Sequence, residues 1–336
     1  MNLTENYNFD RLSVNDGLSQ NTVYSFTQDR KGFMWICTQQ GINKYDGHKF
    51  MIYKNNPESE DSIKNDYINI SFKDSENKIW FGALDGVFAY YNEEKNSFNN
   101  FQLRTAESIS ANVSNISAIC ESTNDELLIS LFGIGLFNFN KANDKFTIVE
   151  SEEFGTAKNH FSKIISLFRD EQGFTWIGTR DEGLLRIDFK NKTSEKFVHN
   201  ISDEHSLSNN IIKFIFQDSK KTIWIGTKEG LNRYDPDKNE FRRYFCDSAS
   251  GNKFNLSCIS EDKNKNLWIG AFNSGLIKFN ADKEIFSVIC EEPKNPKALS
   301  SNSIISLYSD SSNVLWIGTF IDGINKLDCE SKKFYS

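Results

Sequence analysis

Six aspartates each stand six residues ahead of a tryptophan: Asp29 and Trp35, Asp74 and Trp80, Asp170 and Trp176, Asp218 and Trp224, Asp262 and Trp268, Asp310 and Trp316. Carboxylates at a fixed interval can ligate a cation, work in pairs as acid and base, or close turns. A calcium loop needs alternating carboxylates, a glycine and a distal glutamate. The nearest approach is DPDKNE (235–240), which lacks the last two. Glycoside hydrolysis needs two carboxyl groups about 5–9.5 Å apart. Among the acids outside the repeating turns, Asp85, Asp181, Glu182, Glu229 and Asp322 could meet at one place, and nothing in the sequence singles out a pair. The four histidines (48, 160, 199, 205) show no metal-ligand spacing, and there is no GxSxG, HExxH or phosphate loop. No catalytic residue, metal or cofactor is therefore expected. The turn reading accounts for the spacing: in DRKGF or DEQGF the aspartate accepts backbone N–H groups, and a glycine or asparagine at the fourth position takes positive φ.

The tryptophans also mark a repeat. Their steps are 45, 96, 48, 44 and 48 residues, and Leu128 in ELLISLFGIGLFNFN fills the double step, which gives seven units. Each unit has an apolar run, the Asp turn, a WIGT-like run and a turn closed by glycine (Gly41, Gly86, Gly135, Gly183, Gly230, Gly275, Gly323). A run like LNRYD and a last run centred on a phenylalanine follow (Phe50, Phe98, Phe146, Phe197, Phe241, Phe286, Phe334). Short runs rich in Ile, Phe, Trp and Thr between Gly/Asp/Asn turns read as strands, and no segment holds a helical period. Four strands in each of seven units predict an all-β, seven-bladed β-propeller with four antiparallel strands per blade. The expected blades are 19–55, 64–102, 112–150, 160–199, 208–246, 254–290 and 301–336. Two segments compete for the outer edge of the last blade, one around Phe9 and one around Phe334. The first is favoured, with 7–13 as the closing strand. The tryptophans then fill the spaces between blades, and the glycine that follows allows close packing there.

Composition narrows the function classes. The chain has 336 residues with a net charge of −7 and no Lys/Arg-rich block, which argues against nucleic-acid partners and anionic membranes. No apolar run reaches the length of a membrane span. The start, MNLTENYNFD, has no leader pattern, so either the protein is cytosolic or a signal segment has been removed. Cysteines 37, 120, 246, 258, 290 and 329 show no paired spacing and read as small buried hydrophobes rather than a disulfide framework.

The phrase DxxGxxWIGTxxGLxxYD, and the opening FDRLSVNDGLSQNTVYSFTQDRKGFMWICTQQGINKYDG, resemble the two-component regulator propeller repeat, the sensor region of hybrid two-component regulators. The resemblance covers essentially the whole chain and is weakest in the third repeat. RDEQGFTW (169–176) also resembles the Asp-box of sialidase propellers, a folding element there. The regulator family implies an extracytoplasmic sensor, periplasmic or at the cell surface. It commonly pairs such propellers, followed by a β-sandwich, a membrane helix and a histidine kinase or other output, and commonly binds oligosaccharides.

Strand order puts the loops joining second to third strands, and those joining blades, on one face. The first set is not needed by the repeat. From it we take Phe132, Arg180, Asp181, Glu182, Phe272, Asn273, Phe320 and Asp322 as candidate ligand-binding residues. The aromatics can stack on a sugar or anchor a partner, and the polar groups can hydrogen-bond. The motif LSxN (Leu18–Asn21, Leu207–Asn210, Leu299–Asn302; Ile63–Asp66 is similar) reads as a cap or an inter-blade bond, or as a ring of polar groups at the pore mouth. Three functions follow. One is a sensor of an oligosaccharide or small polar ligand, favoured by a polar mouth. A scaffold docking other domains or forming a homodimer is favoured if Phe132, Phe272 and Phe320 form one patch. A carbohydrate-active enzyme is favoured by a tight carboxylate pair in a cleft.

Overall fold

The computed structural model describes residues 7–103, 115–156, 160–244 and 253–330. Its first strand, β1 (Asp10–Leu12), belongs to the last blade. Blade 1 is β2 (Val23–Gln28), β3 (Met34–Thr38), β4 (Gly41–Tyr45) and β5 (Phe50–Tyr53); blade 2 is β6 (Ile68–Lys73), β7 (Ile79–Ala83), β8 (Val87–Asn92) and β9 (Ser97–Gln102). Blade 3 is β10 (Ile116–Thr123), β11 (Glu126–Leu131), β12 (Gly135–Asn140) and β13 (Lys145–Val149); blade 4 is β14 (Ile164–Arg169), β15 (Thr175–Thr179), β16 (Leu184–Asp188) and β17 (Thr193–Phe197). Blade 5 is β18 (Ile212–Gln217), β19 (Ile223–Thr227), β20 (Gly230–Asp235) and β21 (Glu240–Tyr244); blade 6 is β22 (Leu256–Glu261), β23 (Leu267–Ala271), β24 (Gly275–Asn280) and β25 (Ile285–Ile289). Blade 7 is β26 (Ile304–Ser309), β27 (Val314–Thr319) and β28 (Ile324–Asp328), completed by β1. The molecule is a seven-bladed β-propeller of four-stranded antiparallel sheets. Among the described residues the only helices are three short 3-10 turns.

The second strand of each blade is buried almost throughout, because both faces of a radial sheet meet neighbouring blades. Trp35 shows the packing: it lies among Ile68, Ile79 and Phe81 of blade 2 and touches the Tyr91 ring at 4.5 Å. Gly178, two residues after Trp176, lies so close to Ser166 and Ile212 that an added Cβ would collide with both. The outer strands expose apolar side chains to solvent, among them Met51, Ile52, Ile148, Ile285 and Val288.

Closure runs through the N-terminal segment. Residues 10, 11 and 12 pair with 326, 325 and 324. Phe9 is buried against Trp268 and Leu299, and its N–H donates to the Lys297 carbonyl at 2.7 Å. The Arg11 guanidinium donates to the carbonyls of Ala298 (2.8 Å) and Asn295 (3.1 Å). Phe334 and Cys246 lie outside the described residues. Cys37 and Cys120 are buried, whereas Cys290 is exposed, so not every cysteine is a core hydrophobe.

Three repeated devices hold the loops of one face. The LSxN residue bonds the preceding blade: Asn210 accepts from His199 N–H at 2.6 Å and its carbonyl accepts from Gly183 N–H at 3.0 Å, and Asn21, Asp66 and Asn302 do the same. The motif serine meets a buried asparagine of the third strand. Asn232 Oδ1 accepts from Ser208 N–H (2.8 Å), its Nδ2 donates to Ser208 Oγ (2.9 Å), and Ser208 Oγ bonds Thr227 Oγ1 (2.8 Å). Ser19 with Asn43 and Ser300 with Asn325 repeat this in blades 1 and 7. The turn glycine has positive φ, +87° at Gly183, with the Phe197 carbonyl where a Cβ would stand. Blade 3 departs from the expected pattern. Gly133 (φ +85°), not Gly135, takes the left-handed position and donates to the Ser162 carbonyl.

Candidate functional site

Every blade has a register shift at the same place, and blade 3 has a second one between Glu121 and Thr123. The pairing of first to second strand slips between Val23 and Ser25, Ile68 and Ile70, Ile116 and Ala118, Ile164 and Ser166, Ile212 and Phe214, Leu256 and Cys258, and Ile304 and Ser306. A bulge re-aims the extra side chain. Seven half-buried residues of the innermost strands result, one per blade: Tyr24, Asn69, Ser117, Ile165, Lys213, Ser257 and Ile305. One of the seven, Lys213, is charged.

A second ring lies just outside the first. The residue after each second strand donates its N–H to the carbonyl at the start of the same blade's first strand: Leu84 to Tyr67, Phe132 to Asn115, Arg180 to Lys163, Lys228 to Ile211, Phe272 to Asn255 and Phe320 to Ser303, at 2.9–3.1 Å. Gln39 holds the matching position in blade 1. From blade 1 to blade 7 this ring reads Gln, Leu, Phe, Arg, Lys, Phe, Phe. Backbone bonding fixes the positions and leaves the side chains to the mouth of the channel.

The sequence-selected residues separate into sectors. Phe272 and Phe320 meet edge to face with centroids 6.0 Å apart, and both are exposed. Phe132 sits in another sector, under the Arg180 guanidinium at 5.6 Å, and touches neither of the other two rings. Asp181 and Glu182 are neutralised by Lys163, whose Nζ lies 3.1 Å from a carboxylate oxygen of each, and these acids push the Lys163 ammonium up. Asn273 Oδ1 accepts from Ser303 Oγ at 2.7 Å. Asp322 N–H donates to Thr319 Oγ1 at 2.8 Å, closing its turn.

Two parts of the mouth were missed in the sequence. One is the polar sector of blades 1 and 2. The Tyr24 and Tyr67 hydroxyls bond at 2.6 Å, and Gln39 Nε2 donates to Tyr24 Oη at 2.7 Å. Burial, followed by that bond to Tyr67, pushes the Tyr24 phenol up to about 12. The other is Lys213, with Lys228 beside it. Burial first, then Lys228 and Arg180, push the Lys213 ammonium down. Its signal is visible only when the seven first strands are aligned, where Lys213 stands in a column of Tyr, Asn, Ser, Ile, Ser and Ile.

The opposite face is taken up by the Asp–Trp turns. Each tryptophan Nε1 donates to its aspartate at 2.7–3.0 Å, and Lys44, Arg186, Lys278 and Lys326 lie over Trp35, Trp176, Trp268 and Trp316. A groove of about 470 Å³ runs there between blades 4 and 5, lined by Phe174, Trp176, Arg186, Arg233 and Tyr234 among others. Arg186 is fixed within it by bonds to Glu195 (2.6 Å) and the Tyr234 hydroxyl.

The profile of the two component regulator propeller matches residues 17–40, 206–229 and 298–320. Each match runs from an LSxN connection through a second strand, in the three blades that carry the Ser–Asn bond. Three of the seven repeats thus match the two-component regulator propeller repeat. Over 96% of its length the chain superimposes on the extracellular domain of a hybrid two-component system of B. thetaiotaomicron, with 26% identity and a TM-score of 0.81. It spans 42% of that domain, less than half its length. Fifty-eight residues, 17% of the chain, are 48% identical to 4% of a histidine kinase, P4, of Formosa agariphila. The virginiamycin B lyase of Staphylococcus aureus shares the fold (TM-score 0.72, 96% of this chain and 99% of that one) at 13% identity. Among the described residues, no helix is long and apolar enough to cross a membrane.

Proposed function

We propose that this chain is the ligand-binding propeller of an extracytoplasmic receptor of the two-component type. It binds an oligosaccharide or another small polar ligand on the channel-mouth face that carries Phe132, Arg180, Asp181, Glu182, Phe272, Asn273, Phe320 and Asp322. The observation that carries this reading is the two-ring mouth. Thirteen positions fixed by bulges and backbone bonds, with Gln39 as the fourteenth, hold side chains that differ from blade to blade; among the described residues only Asn69, Ser117 and Ser257 of these bond the backbone of the next blade. A receptor that reads a ligand needs such a surface; its response then comes from differential affinity for two arrangements of the whole protein. The extracellular relative supports the location. In this reading the chain does no chemistry, because Asp181 and Glu182 are tied to Lys163 and the turn aspartates to their tryptophans.

The test is a thermal-shift screen of this chain against oligosaccharides and small metabolites. A ligand at 100 times its Kd adds about 2.7 kcal/mol. The expected result is a hit that Arg180→Ala or Phe272→Ala abolishes. A hit untouched by both substitutions would overturn the placement, and silence across the library with a folded protein would overturn the sensor reading.

A scaffold role is the second reading, and one observation favours it. Phe272, Phe320 and Ile321 are 37%, 43% and 62% exposed on neighbouring blades. Phe132 stands apart from them, so the three phenylalanines do not make the single patch that a docking face would present.

A further inference from the structure

We infer that the mouth is an anion site in its blade 4–5 sector, where Lys213 on the inner ring and Arg180 and Lys228 on the outer ring receive a carboxylate, sulfate or phosphate group. The inference deepens the sensor reading and rests on it for the rest of the ligand.

The geometry is that of the two rings. Lys228 follows Thr227, and Thr227 pairs with Ile212, the residue before Lys213. Arg180 holds the place of Lys228 one blade earlier. The three cations therefore meet at one sector of the channel rim, flanked by Phe132 and Phe272 on the adjoining blades.

Their charges are uncompensated. Among the described residues none of the three forms an ion pair or donates a side-chain hydrogen bond, while the acids of the same loops are engaged: Asp181 and Glu182 by Lys163, and Glu229 by Lys253 at 2.6 Å. A half-buried ammonium without a partner is costly, and two more cations add to the cost. The chain as a whole is acidic, at −7, so the sector is no sample of a generally basic surface. The burial of Lys213 has a second consequence: an anion that reaches it leaves water and meets a field less screened than at the open surface.

Recognition divides between the groups. The Arg180 guanidinium, supported from below by the Phe132 ring, presents a planar fork that suits two oxygens of one anion. Lys213 supplies a point charge at the floor, and Lys228 closes the rim. Phe132 and Phe272 offer apolar walls to whatever carries the anion. The shared chemistry is a compact oxyanion, free or borne on a sugar.

The experiment is isothermal titration of the full chain with glucuronate beside glucose, and with low-millimolar inorganic sulfate and phosphate, at two salt concentrations. The expected result is that at least one oxyanion binds, that glucose does not match glucuronate, and that added salt weakens binding. Lys213→Gln weakens it tenfold or more, and Lys213→Arg retains it. Lys228→Ala, at an exposed turn, weakens it too and serves if the Lys213 variants fold poorly. Binding of the free ions as well as glucuronate assigns the source to the oxyanion itself; binding of glucuronate alone assigns it to an acidic sugar. Equal binding of glucose and glucuronate without salt dependence would overturn the anion inference and leave the sensor reading standing. Binding that survives both Lys213→Gln and Lys228→Ala would also overturn it, as would silence to all four probes. Silence in the wider screen of neutral ligands, with sulfate or phosphate still binding, would count against the oligosaccharide reading alone.

Discussion

The indole N–H of Trp224 donates to Oδ2 of Asp218 at 2.8 Å, while Oδ1 of the same carboxylate accepts the N–H groups of Lys220 and Thr222 at 2.9 Å. One buried side chain thus ties the turn between the first two strands to the tryptophan that fills the space between blades. Asp29, Asp74 and Asp310 repeat all three bonds. A carboxylate so saturated has little left for a metal or a proton transfer.

Asp218→Ala strands the indole N–H and two backbone N–H groups at once. Bonds to a charged acceptor contribute about 1.5–3 kcal/mol each, and their losses overlap, so the variant should lose about 3–5 kcal/mol in urea unfolding. Asp218→Asn should lose less, since the amide oxygen still accepts at the turn. A loss under about 0.5 kcal/mol for Asp218→Ala would show the bond to be incidental.

The turn glycines permit a paired comparison. Gly183→Ala must hold φ near +87° and push its Cβ into the Phe197 carbonyl. It should cost at least about 1–3 kcal/mol. Gly135→Ala, at the matching place in blade 3, meets open space at ordinary φ and should be neutral or gain about 0.4–1 kcal/mol. Equal effects of the two substitutions in thermal unfolding would contradict this account.

That contrast shows where the sequence was legible. The Trp spacing exposes the blades because every inter-blade contact needs the same bulk at the same depth, and even Leu128 keeps its register opposite Cys120. The Asp turns were legible for the same reason, although lysines at 221 and 265 hold the positive φ expected of Gly or Asn. The bulges were not legible. They impose no residue type, as a column of Tyr, Asn, Ser, Ile and Lys shows, and they leave the apolar pattern on either side intact. Asp181 and Glu182 stood out as ligand groups because their partner, Lys163, is 18 residues away from Asp181 and reaches it only across the folded turn.

Ring closure makes the N-terminal segment a structural part. Phe9 is 1% exposed, so Phe9→Ala should cost about 3–5 kcal/mol. Removing residues 1–12 would strip β28 of its neighbour and leave an open sheet edge. The expected outcome is a lower urea midpoint together with concentration-dependent association in sedimentation velocity. An unchanged midpoint for the truncated chain would mean that the ring holds without β1.

Lys213 predicts a pH dependence of the unliganded propeller. Its ammonium is held down in the folded state by burial and by Lys228 and Arg180, and the acids on the adjoining loops are paired elsewhere. Between its folded value and the ordinary lysine value, the unfolded chain binds more protons. Stability should therefore rise with pH through that window, and the penalty is complete below it. Lys141 and Lys163 are shifted upward and act in the opposite sense at higher pH, so the quantity to measure is a difference. Lys213→Met should unfold at higher urea than the wild type near neutrality, and the gap should close as the pH rises toward the ordinary lysine value of about 10.5 and the wild-type ammonium loses its proton. Sulfate or phosphate should narrow the gap at neutral pH by stabilising the wild type alone. A Lys213→Met protein that is no more stable than the wild type near neutrality would show that the cation is already compensated, and the mouth would then need another explanation for its three free charges.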